Sequence, residues 1–291
     1  MLPDSSGDAP PDTCPVCGGQ DFRRLFVKKG RRFWRCRPCR LELQHPLPTQ
    51  QELNDYYDAS YAQGMYKTFV DANTMKVMTA QSRFDAVSSD LPTGKWLDVG
   101  CSSGQFVAHA RGRGIDCEGI DVSAVAVNQG RERGLPLSVS TLDDWQPPGR
   151  YDAVTCFDVL EHVLRPAAFV DRVRVLLRPG GALVITVPNL ASLSRLFMGR
   201  RWFFYIPEEH LHYFRPSTLS RLVTTRGFRV TSIGRAYKPM TFEYALTQFQ
   251  EYNPLIYKIL SAAGRVVPAR AAQAVMPLPL GEMCLVATVA E

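Results

Sequence analysis

An α/β fold with a small metal-bound module at its N-terminus is what the sequence predicts, and three observations predict it. A short apolar run, Lys95–Val99, ends at Gly100 and leads through a glycine-bearing loop into a helical pattern at Phe106, Val107 and Ala110. A second strand pattern, Asp116–Ile120, follows and ends in Asp121. Ahead of both, Cys14-Pro-Val-Cys17 and Cys36-Arg-Pro-Cys39 form two C-x2-C knuckles separated by 18 residues. The 291 residues, 45% hydrophobic and 21% charged with 21 Gly and 21 Pro, exclude collagen-like, coiled-coil and wholly disordered chains. At a prior of ~150 residues per domain they fit two domains, or one α/β domain with attachments.

Residues 1–12 are polar, acidic and rich in Pro, Ser and Gly, and are expected to be a disordered tail, neither signal peptide nor transit peptide. The longest uncharged stretch, Pro179–Ser194, falls short of the ~18 apolar residues of a spanning helix, so no transmembrane helix and a cytoplasmic location are expected. In a reducing compartment paired cysteines read as metal ligands, and residues 13–45 are expected to form a zinc ribbon with Cys14, Cys17, Cys36 and Cys39 as ligands. Gly18 and Gly19 permit positive φ after the first knuckle, and Phe22, Leu25, Phe26, Phe33 and Trp34 suit a hairpin between the knuckles. Four protein thiolates leave no open coordination position, so the zinc is structural, and so small a unit needs it to fold. Cys101, Cys117, Cys156 and Cys284 lie singly in apolar contexts.

Between Cys14 and Arg40 nine basic residues stand against one acid, a local charge of +8 in a chain whose net charge is +6. Two readings stand: a phosphate- or nucleic-acid-binding head, or arginines that compensate a thiolate cluster. Residues 46–90 read as a helical connector and a cover for substrate or cofactor. Thr49 and Glu52 have capping-box spacing, and a second helix is expected near Ala72–Ser88, before the break at Leu91-Pro-Thr-Gly94. Tyr56, Tyr57, Tyr61, Tyr66 and Phe69 form an aromatic stripe that packs against the next domain or lines a pocket.

At the glycine loop, Asp121 is placed to accept hydrogen bonds from ribose hydroxyls at the carboxyl edge of a parallel sheet. A dinucleotide fingerprint starting at Gly100 would need glycines where Ser102 and Gln105 stand, so the nicotinamide reading loses support. Asp98 at the strand end is unfavourable beside a pyrophosphate but suits a cofactor with an ammonium and a sulfonium, and S-adenosylmethionine has both.

Leu97-Asp-Val-Gly-Cys-Ser-Ser-Gly104 resembles the first motif of the class I S-adenosylmethionine-dependent methyltransferases, with Ser102 where Gly is commonest. Glu118–Asp121 resembles their acidic ribose motif, Tyr151–Val163 their fourth-strand motif, and Leu176–Gly181 with Ala182–Val187 their turn and fifth strand. Gly227-Phe228 and Met283–Val289 extend the likeness to the sixth and seventh strands. The core is similar to the ubiquinone-pathway O-methyltransferases. The resemblance implies an enzyme with a Rossmann-like, doubly wound seven-stranded mixed sheet, its seventh strand antiparallel, over residues 91–291, with a lid at 190–216 and a helical insertion at 240–280. It further implies cofactor binding by Asp98, Gly100, Cys101, Gly104, Asp121 and Val122. Gly100 and Gly104 would face the methionine part, Thr141 and Leu142 the adenine edge, and Phe157 the methyl donor.

A hydroxyl acceptor must lose its proton, and histidine suits that task near neutral pH. His162 follows the fourth strand, and His210 and His212 sit among the aromatics of Arg201–Phe214 with Glu209 beside them. His210 is the expected base and His162 the second candidate; the alternative is that these residues only shape the pocket or order the lid. Phe157-Asp-Val-Leu160 lacks the Asn/Asp-Pro-Pro-aromatic run of enzymes that methylate base amines. The expected reaction is O-methylation of a small molecule or saccharide, in surface-polysaccharide or secondary-metabolite biosynthesis. An RNA methyltransferase gripping phosphates with the ribbon and a non-catalytic cofactor-binding protein are the alternatives. The apolar spacing of Phe242–Val275 reads as a helical cover or dimer face, or as a peripheral membrane helix, in a monomer or homodimer.

Overall fold

The structure, a computed structural model of the chain, describes residues 9–53, 70–240, 257–258, 261 and 276–290. The aromatic stripe at Tyr56–Phe69, most of the insertion at 240–280 and most of the N-terminal tail lie outside the described residues. Two sheets organise the rest.

The larger sheet contains β4 (Lys95–Val99), β5 (Asp116–Asp121), β6 (Leu137–Val139), β7 (Tyr151–Phe157), β8 (Leu177–Pro188), β10 (Phe228–Met240) and β11 (Met276–Val289), in the order β10-β11-β8-β7-β4-β5-β6. β5, β4, β7 and β8 pair in parallel with their neighbours, while β11 is antiparallel to both β8 and β10. This is the expected seven-stranded mixed sheet with its last strand antiparallel. The central strand β7 is buried at six of its seven residues, the pattern of a parallel strand covered on both faces.

Helices α1 (Val70–Val87), α2 (Gln105–Gly112), α3 (Ala124–Arg131), α4 (Pro166–Leu176) and α6 (Pro216–Thr224) surround this sheet, and α5 (Leu193–Met198) lies in the segment after β8. Their starts are written locally. Ser123 caps α3 by accepting from Ala126 N at 3.2 Å, and proline opens α4 and α6 at the position where its missing N–H is not needed. The Thr49–Glu52 capping box is present reciprocally, with Glu52 N to Thr49 Oγ1 at 3.2 Å and Thr49 N to Glu52 Oε2 at 2.7 Å. No helix among the described residues is long and apolar enough to cross a membrane.

The smaller sheet is antiparallel, in the order β1 (Phe22–Lys28), β2 (Arg31–Cys36), β3 (Glu42–Gln44), β9 (His212–Tyr213). Lys29 and Gly30 both take positive φ, +47° and +76°, as a tight hairpin turn whose twist matches its strands requires. Of the two glycines expected at positive φ, Gly18 adopts it at +69° and Gly19 does not. Gly19 is required for space instead: a Cβ there would stand 3.1 Å from Pro38 Cγ and 3.3 Å from Cys17 Sγ. The fourth strand, β9, comes from the segment after β8, so the knuckles and that segment share one sheet. Behind it Phe33, Trp202, Tyr205 and Tyr213 are buried together, with Phe26 stacked on Phe33 at 4.7 Å between ring centroids.

Candidate active site

The strand order reverses between β4 and β7, and the crevice beyond the carboxyl ends of such strands is where open α/β sheets bind ligands. Register brings Asp98 of β4 opposite Gly119 of β5 and Thr155 of β7. Asp98 is buried and accepts a 2.7 Å hydrogen bond from the Thr155 hydroxyl, and burial pushes its pKa up to about 7. A carboxylate raised this far by desolvation is one that a neighbouring cation would ionise, which suits an ammonium- and sulfonium-bearing cofactor.

The loop after β4 depends on left-handed backbone at Gly100 (φ +75°), Ser102 (φ +50°) and Gly104 (φ +80°). A Cβ on Gly104 would also crowd Leu135 Cδ1 at 3.0 Å. Ser102 thus takes a left-handed conformation that favours glycine. Its strain is met by its own N–H, which donates to Asp121 Oδ2 at 2.8 Å, while Ser123 N donates to Asp121 Oδ1 at 2.8 Å. Asp121 therefore ties the glycine loop to the start of α3, a role its ribose assignment did not include. Burial raises its pKa against these two donors. Cys101 is buried, and a Cβ on Gly119 would meet its Cβ at 2.7 Å. Val122 is exposed beside Asp121, Leu142 is buried, and the exposed Thr141 closes a turn by donating to Asp144 Oδ2 at 2.6 Å.

Phe157 ends β7 with the Arg83 guanidinium 4.8 Å from its ring centroid. The next residue, Asp158, has φ +57° and is held by Arg83, by Lys238 Nζ at 3.2 Å and by the Thr186 hydroxyl at 2.9 Å. Those two cations hold its carboxyl well below the usual range. Lys238 also donates to the buried Glu282 at 2.6 Å. Arg83, Lys238 and Glu282 carried no signal in sequence, because Arg83 and Lys238 reach Asp158, and Glu282 reaches Lys238, from elements distant in the chain.

Beyond Asp158 the turn carries Glu161 and His162, and the segment after β8 brings His210 against them. The His162 and His210 rings meet edge to face at 4.7 Å between centroids, and side-chain ligand atoms of Glu161, His162 and His210 lie within 4.8 Å of one another. Both expected histidines are thus in one cluster. The Phe204 carbonyl lies 2.8 Å from His210 Nδ1; a carbonyl only accepts, so Nδ1 carries the proton and Nε2 the lone pair. His162 is held by a hydrogen bond to the Glu209 backbone. Burial pushes the pKa of His210 down to about 3 and that of His162 to about 4, so both rings are neutral near pH 7. Glu161 Oε2 is buried without a hydrogen-bond partner, and burial beside Asp158 raises its carboxyl well above the usual range. His212 lies apart from this pair in β9, its ring beside Phe214.

At the knuckles, Cys14 and Cys39 Sγ are 3.5 Å apart, as are Cys17 and Cys36 Sγ, and the four sulfurs lie within 4.8 Å of one another. The hydrogen bond with Cys39 lowers Cys14 to about 5, while desolvation raises Cys36 to about 11. Four converging thiols fit a structural Zn²⁺.

A family model described as a methyltransferase domain matches residues 73–233, more than half of the chain. The chain belongs to the class I methyltransferase family. As a relative, the methyltransferase is 30% identical over 178 residues to a ubiquinone biosynthesis O-methyltransferase of Azoarcus sp., covering 56% of this chain and 76% of that one. Its fold matches a Synechocystis magnesium protoporphyrin IX methyltransferase bound to S-adenosylhomocysteine, with TM-score 0.55 and 14% identity over 83% of this chain and all of that one. A Burkholderia thailandensis 1,6-didemethyltoxoflavin-N1-methyltransferase gives TM-score 0.53 and 13% identity over 92% of this chain and 99% of that one.

Proposed function

We propose that the methyltransferase transfers a methyl group from S-adenosylmethionine to a hydroxyl of a small molecule or saccharide. The observation that carries this reading is the neutral pair His162–His210 with the buried Glu161 beside it, set beyond β7 next to Asp158. The bound cofactor supplies an already activated methyl group, so the protein's work is alignment, exclusion of water and handling of one proton. Asp121 and the Gly100–Gly104 loop would hold the ribose and methionine ends, Asp98 would face the cationic end, Thr141 and Leu142 the adenine, and Phe157 the methyl group.

His210 Nε2 is the base. A pKa near 3 makes it a weak base toward a resting hydroxyl, but the hydroxyl proton becomes strongly acidic as the new carbon–oxygen bond forms. The imidazolium so produced is stabilised by the Asp158 charge, which acts on both rings. Glu161, whose buried Oε2 has no partner within the protein, completes the polar lining beside the two rings. The O-methyltransferase relative supports transfer to oxygen.

The basic ribbon favours a small acceptor over RNA in so far as four of its nine basic residues are engaged by the protein itself. Lys28 Nζ donates to the Tyr205 carbonyl at 2.8 Å, Lys29 pairs with Glu208 at 2.8 Å, Arg35 with Glu42 and Arg37 with Asp21. The ribbon zinc is structural. The test is transfer of radiolabelled methyl from S-adenosylmethionine into source-cell extract, with Asp121→Ala as control and the product fractionated by size and nuclease. Label in nuclease-resistant small or saccharide material is expected; nuclease-sensitive label would overturn the reading in favour of RNA.

A further inference from the structure

β3 starts three residues after the knuckle cysteine Cys39 and reaches the segment that carries His210. Its last residue, Gln44, is fully buried. Gln44 Nε2 donates to the carbonyls of Pro207 at 3.0 Å and His210 at 3.3 Å, and its backbone N–H donates to Leu211 O at 3.1 Å. The Tyr213 hydroxyl donates to the same His210 carbonyl at 2.8 Å. From the other side, Leu211 N and His212 N donate to the Glu161 carbonyl at 2.8 and 3.2 Å. Residues 204–213 hold His210 itself, the Phe204 carbonyl that fixes its tautomer and the Glu209 backbone that holds His162. They are therefore clamped between a ribbon strand and the turn after β7.

We propose that Gln44 and Tyr213 are positioning residues for methyl transfer: by gripping the His210 carbonyl together, they aim the imidazole beside His162 and make the ribbon part of the catalytic apparatus. The inference rests on His210 as the base. Gln44 acts through the main chain of the base, whose ring nitrogen is separately fixed by Phe204. Loss of the grip lets the ring drift while leaving the glycine loop and Asp121, which share no hydrogen bond with it, in place.

The test uses the full metal-loaded chain carrying Gln44→Met, of similar length without donors, and separately Tyr213→Phe, which leaves β3 untouched. Cobalt–thiolate absorption of the Co²⁺-substituted ribbon and affinity for S-adenosylhomocysteine report on the two neighbouring sites and are expected to stay as in the parent protein. Nitrogen-15 histidine resonances report on His210: its Nδ1–H signal is expected to shift and to exchange faster with water in both variants. Methyl transfer into extract is expected to fall by about 10- to 100-fold, as an ångström-scale displacement of a catalytic group does. If the Nδ1–H signal and transfer rate stay at parent values in both variants while His210→Ala loses transfer, the positioning inference is overturned and the base assignment survives. If His210→Ala transfers as well as the parent, the base assignment fails and takes the catalytic part of the inference with it. Should Gln44→Met lose its cobalt spectrum, Tyr213→Phe decides alone.

Discussion

The cofactor edge of the sheet and the histidine cluster meet at Asp158 but are assembled in opposite ways. The glycine loop and Asp121 come from consecutive strand–loop–helix units, and hydrogen bonds within that stretch, Ser102 to Asp121 and Ser123 to Asp121, hold them. His162 and His210 come from segments almost fifty residues apart, and a third segment, Glu42–Gln44, keeps the second in place. One region is held by local chain geometry, the other by long-range hydrogen bonds. The first should survive damage to the ribbon, and the second should not.

The largest effect is expected from removing a metal held by the four knuckle cysteines. A structural Zn²⁺ supplies ~10–16 kcal/mol of folding free energy to a small peptide. Chelation or Cys36→Ser should therefore abolish transfer while S-adenosylhomocysteine still binds, as calorimetry would read. Equal loss of both would show that the two regions fold as one. Next comes His210→Ala, expected to lower turnover by ~10²–10⁴ with cofactor affinity unchanged. Its mirror image is Asp121→Ala, expected to weaken cofactor binding by a free energy of order 1.5–3 kcal/mol, typical of hydrogen bonds to a charged group. A turnover defect at saturating cofactor in that variant would break the separation.

The paired histidines and Asp98 respond oppositely to pH. His162 and His210 have folded pKa values of about 4 and about 3, below the ~6.5 of an unfolded histidine. Their contribution to stability is complete above ~6.5 and is lost as pH falls toward those folded values. Asp98 is raised to about 7 from ~3.9, so its contribution is complete below ~3.9 and is lost as pH rises through about 7. Thermal melts across pH 4–9 should show His210→Phe flattening the acid limb and Asp98→Asn the alkaline limb; the same limb responding to both would contradict the assignment. The smallest effect is expected from Ser102→Gly, which relieves a left-handed non-glycine and should stabilise by about 1 kcal/mol, read as a small rise in melting temperature.

Much of the cofactor edge was legible because its signals are local. The apolar run at Lys95–Val99, the glycines at 100 and 104 and the acid ending β5 sit at spacings that a strand–loop–helix imposes, and the strands appeared where expected. The second function of Asp121, tying down Ser102, was not legible, since it depends on the loop's φ angles. His162 and His210 could each be picked out by residue type and neighbourhood, but their pairing could not, and Glu161 was passed over beside a more conspicuous histidine. Gln44 carried no signal, because a glutamine at a strand end is unremarkable until its amide is seen against two carbonyls.

By itself the sequence determined what short-range physics writes into a chain: hydrophobic periodicity, helix caps, the glycine loop after β4 and the two-knuckle spacing of the thiols. From these came the α/β sheet, its cofactor edge and the four-thiol cluster. Tertiary structure alone decided that β9 completes the ribbon sheet, that Arg83 and Lys238 converge on Asp158, and that the ribbon grips the loop bearing His210. Those contacts join residues up to some 170 positions apart, and they form only when burying the aromatic cluster around Phe33, Tyr205 and Tyr213 offsets the entropy of closing so long a loop.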